Sequence, residues 1–389
     1  MARVPTPRDE LLELVLTEHT ELLPAVLERM RGEIPSYGRL DRAQLVPEAE
    51  STFQRLLRAI VERRELGAAE LAMLTAHGEA RGRQGVPVTD MFRGWRMAVR
   101  LILEETVAVG QRSGVPDREL LALSQDLLAI TDAAIVAMAH GHRIAEAEQT
   151  RHDQHRRADL VRGILFGTLG PAEIRIQVER YGLAADVPYR AVRGRPTAAL
   201  PAATLARLLE AAPDGARPRG LLAVIDGDIA GFIEMAPTGD IPAAVGLGSP
   251  APLERIEPSF RRATRAMITA DAFGRNGVHE LSDLGLLPAV LADTEVGDEI
   301  MRRYVTPLGE SDSAAALLDT VEHYLSNGMR ADLTAAELRL HANSVRYRLR
   351  RFEQLTGVEL SDPGRTLEVW WALQRRRVRR SRTASTDAD

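Results

Sequence analysis

The chain has no cysteine and no lysine among its 389 residues. Without cysteine there is no disulfide, thiolate metal site, iron–sulfur cluster or cysteine nucleophile. Without lysine there is no P-loop lysine, no Schiff-base lysine and no Ser–Lys hydrolase. All 50 basic residues are therefore arginine, in a chain rich in Ala, Arg, Gly and Val, as a GC-rich genome produces. Aromatic residues are scarce, at 4%. No apolar run approaches the length of a membrane span; the nearest, around Ile130 to Ala139, is interrupted by Asp132. The opening MARVPTPRDE has no hydrophobic signal core. These absences lead to the expectation of a cytoplasmic protein with no membrane partner.

What is present is ordinary for a soluble globular protein, with 45% hydrophobic and 27% charged residues. The length predicts two or three domains. A net charge of −5 conceals an asymmetry: Asp312 to Thr383 holds 13 arginines against nine acids, and the chain before it 37 against 44. An acidic body with a basic appendage fits that split.

Residues 1–145 read as helix after helix. LLELVLTEHTELLPAVLERM, EAESTFQRLLRAIVERR and TDMFRGWRMAVRLILEETVAVG all repeat apolar residues at i, i+3, i+4 and i+7. From Asp117 to Gly170 there is no proline, and a continuous helix there would be about 75 Å long. Its charged middle reads as a connector over 146–172, with Gly141 a candidate break. Residues 173–310 change to mixed α and β. PYRAVRG, GLLAVID, IAGFIEM, AAVGLG and VHELSD are short runs bounded by Gly, Pro or Asp. LLAVIDGDIAGFIEM reads as a hairpin turning at Asp226-Gly227-Asp228, and the whole predicts an α+β sandwich with an antiparallel sheet. Gly246-Leu247-Gly248 lacks the third glycine of a dinucleotide fingerprint and reads as a turn. Residues 311–383 return to all-α, with four helices.

The second of those four, LTAAELRLH, has Thr334 and Glu337 in a capping-box pattern and a small inner face of Ala335, Ala336 and Leu338. A tight His341-Ala342 link leads to Asn343 and Ser344, both good N-caps. A short helix, a tight turn and a longer helix with a basic outer face form the helix-turn-helix arrangement. With Val345, Leu349 and Phe352 inward, about 100° per residue points Asn343, Tyr347, Arg350, Arg351 and Gln354 outward. Ser344, Arg346 and Arg348 then lie on the flanks. In a major groove the first turns meet base edges, so Ser344, Tyr347 and Arg348 are candidate readers. Arg346, Arg350 and Arg351 reach phosphates or bases, arginine being able to pair bidentately with guanine. On charge pattern alone, a solvated bundle helix remains the alternative.

The stretch AAELRLHANSVRYRLRRFEQLTGVELSDPGRTLEVWWAL resembles the C-terminal helix-turn-helix of PucR/CdaR-type bacterial regulators. The family pattern His-x-Asn-Thr/Ser-x-Arg-Tyr-Arg-Leu-x-Arg, with its Leu-Thr-Gly ending, is met by His341, Asn343, Ser344, Arg346, Tyr347, Arg348, Leu349, Arg351 and Leu355-Thr356-Gly357. Ala342 stands where many members carry Arg, and Ser344 where Thr is usual. The resemblance implies double-stranded DNA as partner, with His341, Asn343, Ser344, Arg346, Tyr347, Arg348, Arg350 and Arg351 as the DNA-binding set.

AVGLGSPAPLERIEPSFRRATRAMITADAFGRNGVHELSDLGLLPAVLAD is similar to the GGDEF-like domain of the same regulators. Cyclase chemistry needs a Gly-Gly-Asp/Glu-Glu-Phe hairpin, and here the turn reads Asp226-Gly227-Asp228-Ile229, then Ala230-Gly231-Phe232. Asp226 and Asp228 offer metal ligands, but Asp-Gly is more often simply a turn. The opening bundle resembles the helical N-terminal domain of RsbR-type stress co-antagonists, through EAESTFQRLLRAIVE and GVPVTDMFRGWRMAVR, which implies a sensory or oligomerising role. Met91, Phe92, Trp95 and Met97 read as core, with a ligand pocket the rarer reading. His140, His142, His152 and His155 cluster on the connector, and His19 and His77 lie in the bundle; neither group has a recognised ligand pattern.

The expectation is a multidomain, non-enzymatic transcriptional regulator: all-α bundle, GGDEF-like α+β domain, all-α helix-turn-helix. It has no cofactor or metal, forms a homodimer or higher homo-oligomer, and answers a small-molecule or partner signal. The alternatives are a nucleotide-binding or nucleotide-processing signalling protein using the middle domain, and a stressosome-like scaffold.

Overall fold

Sustained 3.6-residue apolar repeats give helices through most of the chain, and the short Val/Ile runs between Gly and Pro give one sheet. The structure, a computed structural model, describes residues 22–210 and 220–386, with side chains to Arg380. Much of the helix expected over 11–30, and His19 with it, lies outside the described residues. Two units divide the chain, Met1–Gln154 and His155–Asp389.

The first unit is helical: α1 (22–33), α2 (Pro35–Gly38), α3 (Arg42–Val61), α4 (Ala68–Arg83), α5 (Val88–Arg112) and most of α6 (Asp117–Leu165). Asp41 caps α3 by accepting the Ala43 N–H at 2.9 Å, and Glu70 reaches back to the Gly67 N–H at 2.9 Å. Gly85 and Gly114 take positive φ, at 72° and 71°, to turn the chain between helices. Val26, Met30, Leu74, Met91 and Met138 anchor one buried cluster, and Phe53, Leu57, Ile60, Leu123 and Ile130 another.

Gly141 does not break α6, contrary to expectation. A Cβ there would lie 1.9 Å from the Thr75 carbonyl oxygen, and one on Gly78 would lie 2.0 Å from that of Met138. The two glycines let the backbones of α4 and α6 touch, which offsets their poor helix propensity. The expectation that no run reaches membrane-span length is also corrected. α6 contains an 18-residue window of mean hydropathy 1.6, long and apolar enough to cross a membrane by length and composition. A core helix meets the same test, and α6 buries Ile130, Ala134 and Met138 within the bundle. The two aspartates of its apolar half, Asp126 and Asp132, are each costly at mid-bilayer, by about 2.5–3.5 kcal/mol.

The second unit opens with the last residues of α6 and α7 (Pro171–Arg180). It continues through β1 (Tyr189–Gly194), α8 (Ala202–Glu210), β2 (Gly220–Ile225), β3 (Asp228–Ile233), β4 (Ala244–Ala251), α9 (Glu257–Ala272) and β5 (Gly277–Glu280). The strand order is β2-β3-β1-β4-β5. β4 and β5 run parallel and the other pairs antiparallel, so the sheet is mixed rather than wholly antiparallel. The crossover through α9 returns the chain in the same direction, which a hairpin cannot do. The β2–β3 hairpin forms as expected, Ile225 opposite Asp228, with Asp226 at φ 53° and Gly227 at φ 84° in the primed-turn region.

Gly246 and Gly248 lie inside β4 rather than in a turn. A Cβ on either would lie 1.9 or 2.2 Å from the carbonyl oxygen of Ala263 or Ser259 on α9, so the glycines seat the helix directly on the strand. Buried Ser259 locks the contact, accepting the Ala191 N–H at 3.1 Å and donating to the Ser249 carbonyl at 2.6 Å.

The remaining helices are α10 (Leu287–Ala292), α11 (Thr294–Tyr304), α12 (Asp312–Ser326), α13 (Ala331–Leu338), α14 (Ala342–Thr356) and α15 (Pro363–Thr386). Their shared core gathers Tyr304, Leu318, Val321, Val345, Phe352, Val369 and Leu373.

Candidate nucleic-acid interface

The interface is built by the α13–α14 turn. α13 starts at Ala331, three residues before the expected capping box. Thr334 is therefore an interior residue, fully buried, and donates its hydroxyl to the Arg330 carbonyl at 2.8 Å. Glu337 instead accepts a hydrogen bond from Asn327 Nδ2. Ala335 is buried and Leu338 half-buried, but Ala336 faces solvent. α13 ends with Arg339 in the left-handed region at φ 54°. The Leu340 N–H donates to the Ala335 carbonyl at 2.9 Å and the Arg339 N–H to that of Ala336 at 3.3 Å, a Schellman closure without glycine.

His341 then caps α14. Its backbone is extended, and its Nδ1 accepts the Asn343 N–H at 3.2 Å. The cap is thus His341 and not Asn343 or Ser344, which occupy the first turn. Val345, Leu349 and Phe352 are buried as their spacing predicts. Gly357, at φ 68°, ends the helix, and its N–H donates to the Glu353 carbonyl at 2.8 Å. Glu353 in turn accepts the Leu360 N–H at 3.0 Å, tying the next segment down.

The outer face carries the exposed side chains of Asn343, Ser344, Arg346, Tyr347, Arg350, Arg351 and Gln354. Tyr347 is 70% exposed, far more than a core aromatic. Arg346 reaches Asn343 Oδ1 at 3.1 Å. Arg339, Arg346, Arg350 and Arg351 meet no carboxylate among the described residues. Arg348 differs: it is half-buried and donates to the buried Thr320 hydroxyl of α12 at 3.1 Å. The structure therefore brings together seven of the eight expected residues at the cap and outer face, and ties the eighth inward. Thr320 carries no sequence signal for this contact, because its partner lies 28 residues on.

The basic stretch QRRRVRRSR is partly engaged within its own unit. Arg375 and Arg379 approach the Asp298 carboxylate of α11 at 3.7 and 2.6 Å, and burial, then neighbouring Arg380, pulls Arg376 below its usual pKa. The Arg382 side chain lies outside those described. Beneath, a hydrogen bond from the Tyr304 hydroxyl holds the Glu368 carboxyl below the usual carboxylate range.

The other candidate sites resolve differently. Asp228 is buried and paired with Arg193 at 2.9 Å and Arg195 at 3.0 Å, while Asp226 meets Arg162 at 3.4 Å. Among the described residues no group of three or more His, Asp or Glu is placed to hold a metal ion. His142 is buried with Nε2 2.8 Å from the Val86 carbonyl; His140, His152 and His155 are exposed. Met91 and Trp95 line a cavity in the first unit together with His77, while Phe92 and Met97 pack in the adjoining cluster.

Comparison with known proteins agrees with this division. Residues 20–157 match the RsbT co-antagonist protein rsbRD N-terminal domain, and residues 317–374 match the PucR C-terminal helix-turn-helix domain. The chain is similar to an uncharacterized protein in the pkwA 5′ region of Thermomonospora curvata, 34% identical over 130 residues, which is 33% of this chain and 71% of that one. It is also similar to a regulator of polyketide synthase expression from Bifidobacterium adolescentis, at 21% identity over 56% of this chain and 96% of that one; the TM-score of 0.28 lends this likeness no structural weight. The chain thus joins an rsbRD-type N-terminal domain and a PucR-type C-terminal helix-turn-helix domain in one polypeptide, a pairing that supports a transcriptional regulator.

Proposed function

We propose that this protein binds specific double-stranded DNA sites in the cytoplasm as a homodimer or higher homo-oligomer, with α14 in the major groove. The observation that carries this reading is the outer face of α14, whose guanidinium groups are exposed and meet no carboxylate. Such a face on a folded helix matches a phosphate-lined groove better than water alone. The first turn presents Asn343, Ser344 and Tyr347 to base edges; Arg346, Arg350 and Arg351 take phosphates or guanine. His341 acts by capping and Arg348 by bracing α14 on Thr320, so both position the readers. The positive end of the α14 helix dipole favours a phosphate near the first turn. Two-fold symmetry doubles the contacts, and half-sites about 34–36 Å apart are the geometric expectation.

The remaining domains supply control. Residues 1–145 form the sensory or oligomerising domain, 146–172 the connector, 173–310 a GGDEF-like domain and 311–383 the DNA-binding domain. In this reading the middle domain relays rather than catalyses, since Arg193 and Arg195 already neutralise the carboxylate at its hairpin. A small molecule or partner is the input.

Selection of bound sequences from a random DNA pool, followed by salt-titrated binding to the enriched site, tests the reading. Arg350→Ala and Arg351→Ala should weaken binding and flatten the logarithmic salt slope by about 0.9 per lost phosphate contact. Arg348→Ala should lower discrimination between sites together with thermal stability. Failure to enrich any sequence, with unchanged salt slopes in both outer-face variants, refutes it.

A further inference from the structure

The first unit holds a partly open cavity of about 180 Å³, bounded by residues of α1 to α6. Protein interiors are close-packed, with few voids larger than a water molecule, and an engineered apolar cavity of about 150 Å³ stays dry and takes benzene. A native void of this size costs stability unless something fills it. Its wall is overwhelmingly apolar, and Met30, Met91 and Met138 are among the lining side chains. Methionine's unbranched, polarizable side chain adapts to an irregular occupant.

The few polar groups on the wall define the occupant. Thr106, Ser124 and Thr131 each donate to a carbonyl of their own helix at 2.7–2.8 Å. Thr52 donates to the Glu48 carbonyl at 2.7 Å and meets His77 Nδ1 at 3.1 Å. Arg81 is paired with the Glu48 carboxylate and also bonded to Gln84. The wall therefore carries no unpaired charge to attract an ion. Among the described lining residues one buried polar atom has no partner, Trp95 Nε1, and it has no surface open to the cavity. An indole N–H is a donor only, and leaving it unmet in an apolar interior is unfavourable.

We infer that this cavity binds a neutral, apolar small molecule of roughly ten heavy atoms that asks no hydrogen bond of the wall. An anionic ligand is disfavoured because Glu48 already neutralises Arg81, and a cationic one because Glu48 is likewise occupied. The inference gives chemical identity to the effector in the preceding proposal, and binding is read in the absence of DNA, so the two fail separately.

The test uses the full-length protein and three probes: acetophenone (apolar, one carbonyl acceptor), ethylbenzene (similar shape, no acceptor) and benzoate (charged). Calorimetric titration and thermal shift should show saturable binding of ethylbenzene, at least as tight as that of acetophenone, whose carbonyl would give up water for a mostly apolar wall. Benzoate should not bind. Ala98→Leu and Ala49→Leu, which extend lining side chains into the space, should each weaken both neutral probes tenfold or more. Two independent filling variants guard against one failing to fold, which circular dichroism would reveal. Absence of saturable binding by both neutral probes in the wild type overturns the inference and leaves the cavity to another segment of the chain. Acetophenone or benzoate as the tightest probe overturns it equally.

Discussion

Replacing Gly141 by alanine sets two effects of opposite sign against each other. In an open helix interior the change is favourable by about 1 kcal/mol, because glycine loses more backbone entropy on folding. At Gly141 the added methyl would lie 1.9 Å from the Thr75 carbonyl oxygen, 2.8 Å from its carbon and 3.0 Å from the Glu79 nitrogen, all backbone atoms. Real Cβ atoms stay beyond 3.0 Å, so α4 and α6 must part by roughly 1 Å. Overpacking costs about 1–3 kcal/mol, and parting two packed backbones belongs to the upper part of that range, about 2–3 kcal/mol, which leaves a net loss of about 1–2 kcal/mol. For a unit of this size that is a fall of about 2–8 °C in Tm. Gly32, exposed on α1 with nothing within 4 Å of its missing Cβ, is the internal control. Gly32→Ala should raise the melting temperature of the same transition. Calorimetry on the full chain reads both variants. A Gly141→Ala protein that melts at or above the wild type refutes the close helix contact.

Three further outcomes follow from other parts of the chain. Arg339→Gly should stabilise the second unit by up to about 1 kcal/mol in denaturant unfolding, because the left-handed conformation at φ 54° costs a side-chain-bearing residue about 1–2 kcal/mol and glycine regains only part of it. Ser259→Ala should cost about 1–3 kcal/mol by the same measurement, since it leaves the buried Ala191 N–H without its acceptor. Burial, more than the nearby charge of Arg81, depresses the His77 pKa. The unfolded chain therefore takes up a proton first as pH falls below about 6.5, and the stability of the first unit should decline from there until the depressed folded pKa is reached. His77→Gln should flatten that decline in pH-dependent thermal melts.

Periodicity made the helices legible, and the β2–β3 turn was legible because Asp-Gly has few other meanings. Glycines were the least legible feature. Gly141 read as a break and Gly246-Leu247-Gly248 as a turn, yet each serves to bring two backbones together, and the second backbone is remote in sequence. The direction of β5 was hidden for a similar reason: strand polarity depends on how α9 crosses the sheet, not on the strand's own residues. The cavity lining was half visible, through Met91 and Trp95. A helical repeat shows which side chains face inward but not whether they meet. The α13 cap was misplaced because Thr334 and Glu337 satisfy a capping pattern locally, while burial of Thr334 against the domain core decides where the helix starts.

The dense family pattern of α14 separates into folding and contact residues once their partners are known. Leu349 is core, His341 is the cap, and Leu355-Thr356-Gly357 closes the helix through a positive-φ glycine. Arg348 is held by Thr320. All of these would be required of any protein that folds this way, whatever it touches. Asn343, Ser344, Arg346, Tyr347 and Arg351 satisfy nothing in the core, and among the described residues the side-chain bond they make is Arg346 to Asn343, within one turn of the same helix. A large aromatic and two guanidinium groups are held exposed on a helix whose register is fixed by cap and core alike, which is what the proposed DNA contact requires. Ala342 belongs on the folding side of the same division: it is half-buried and packs against the domain core, so it helps seat the helix that presents the rest.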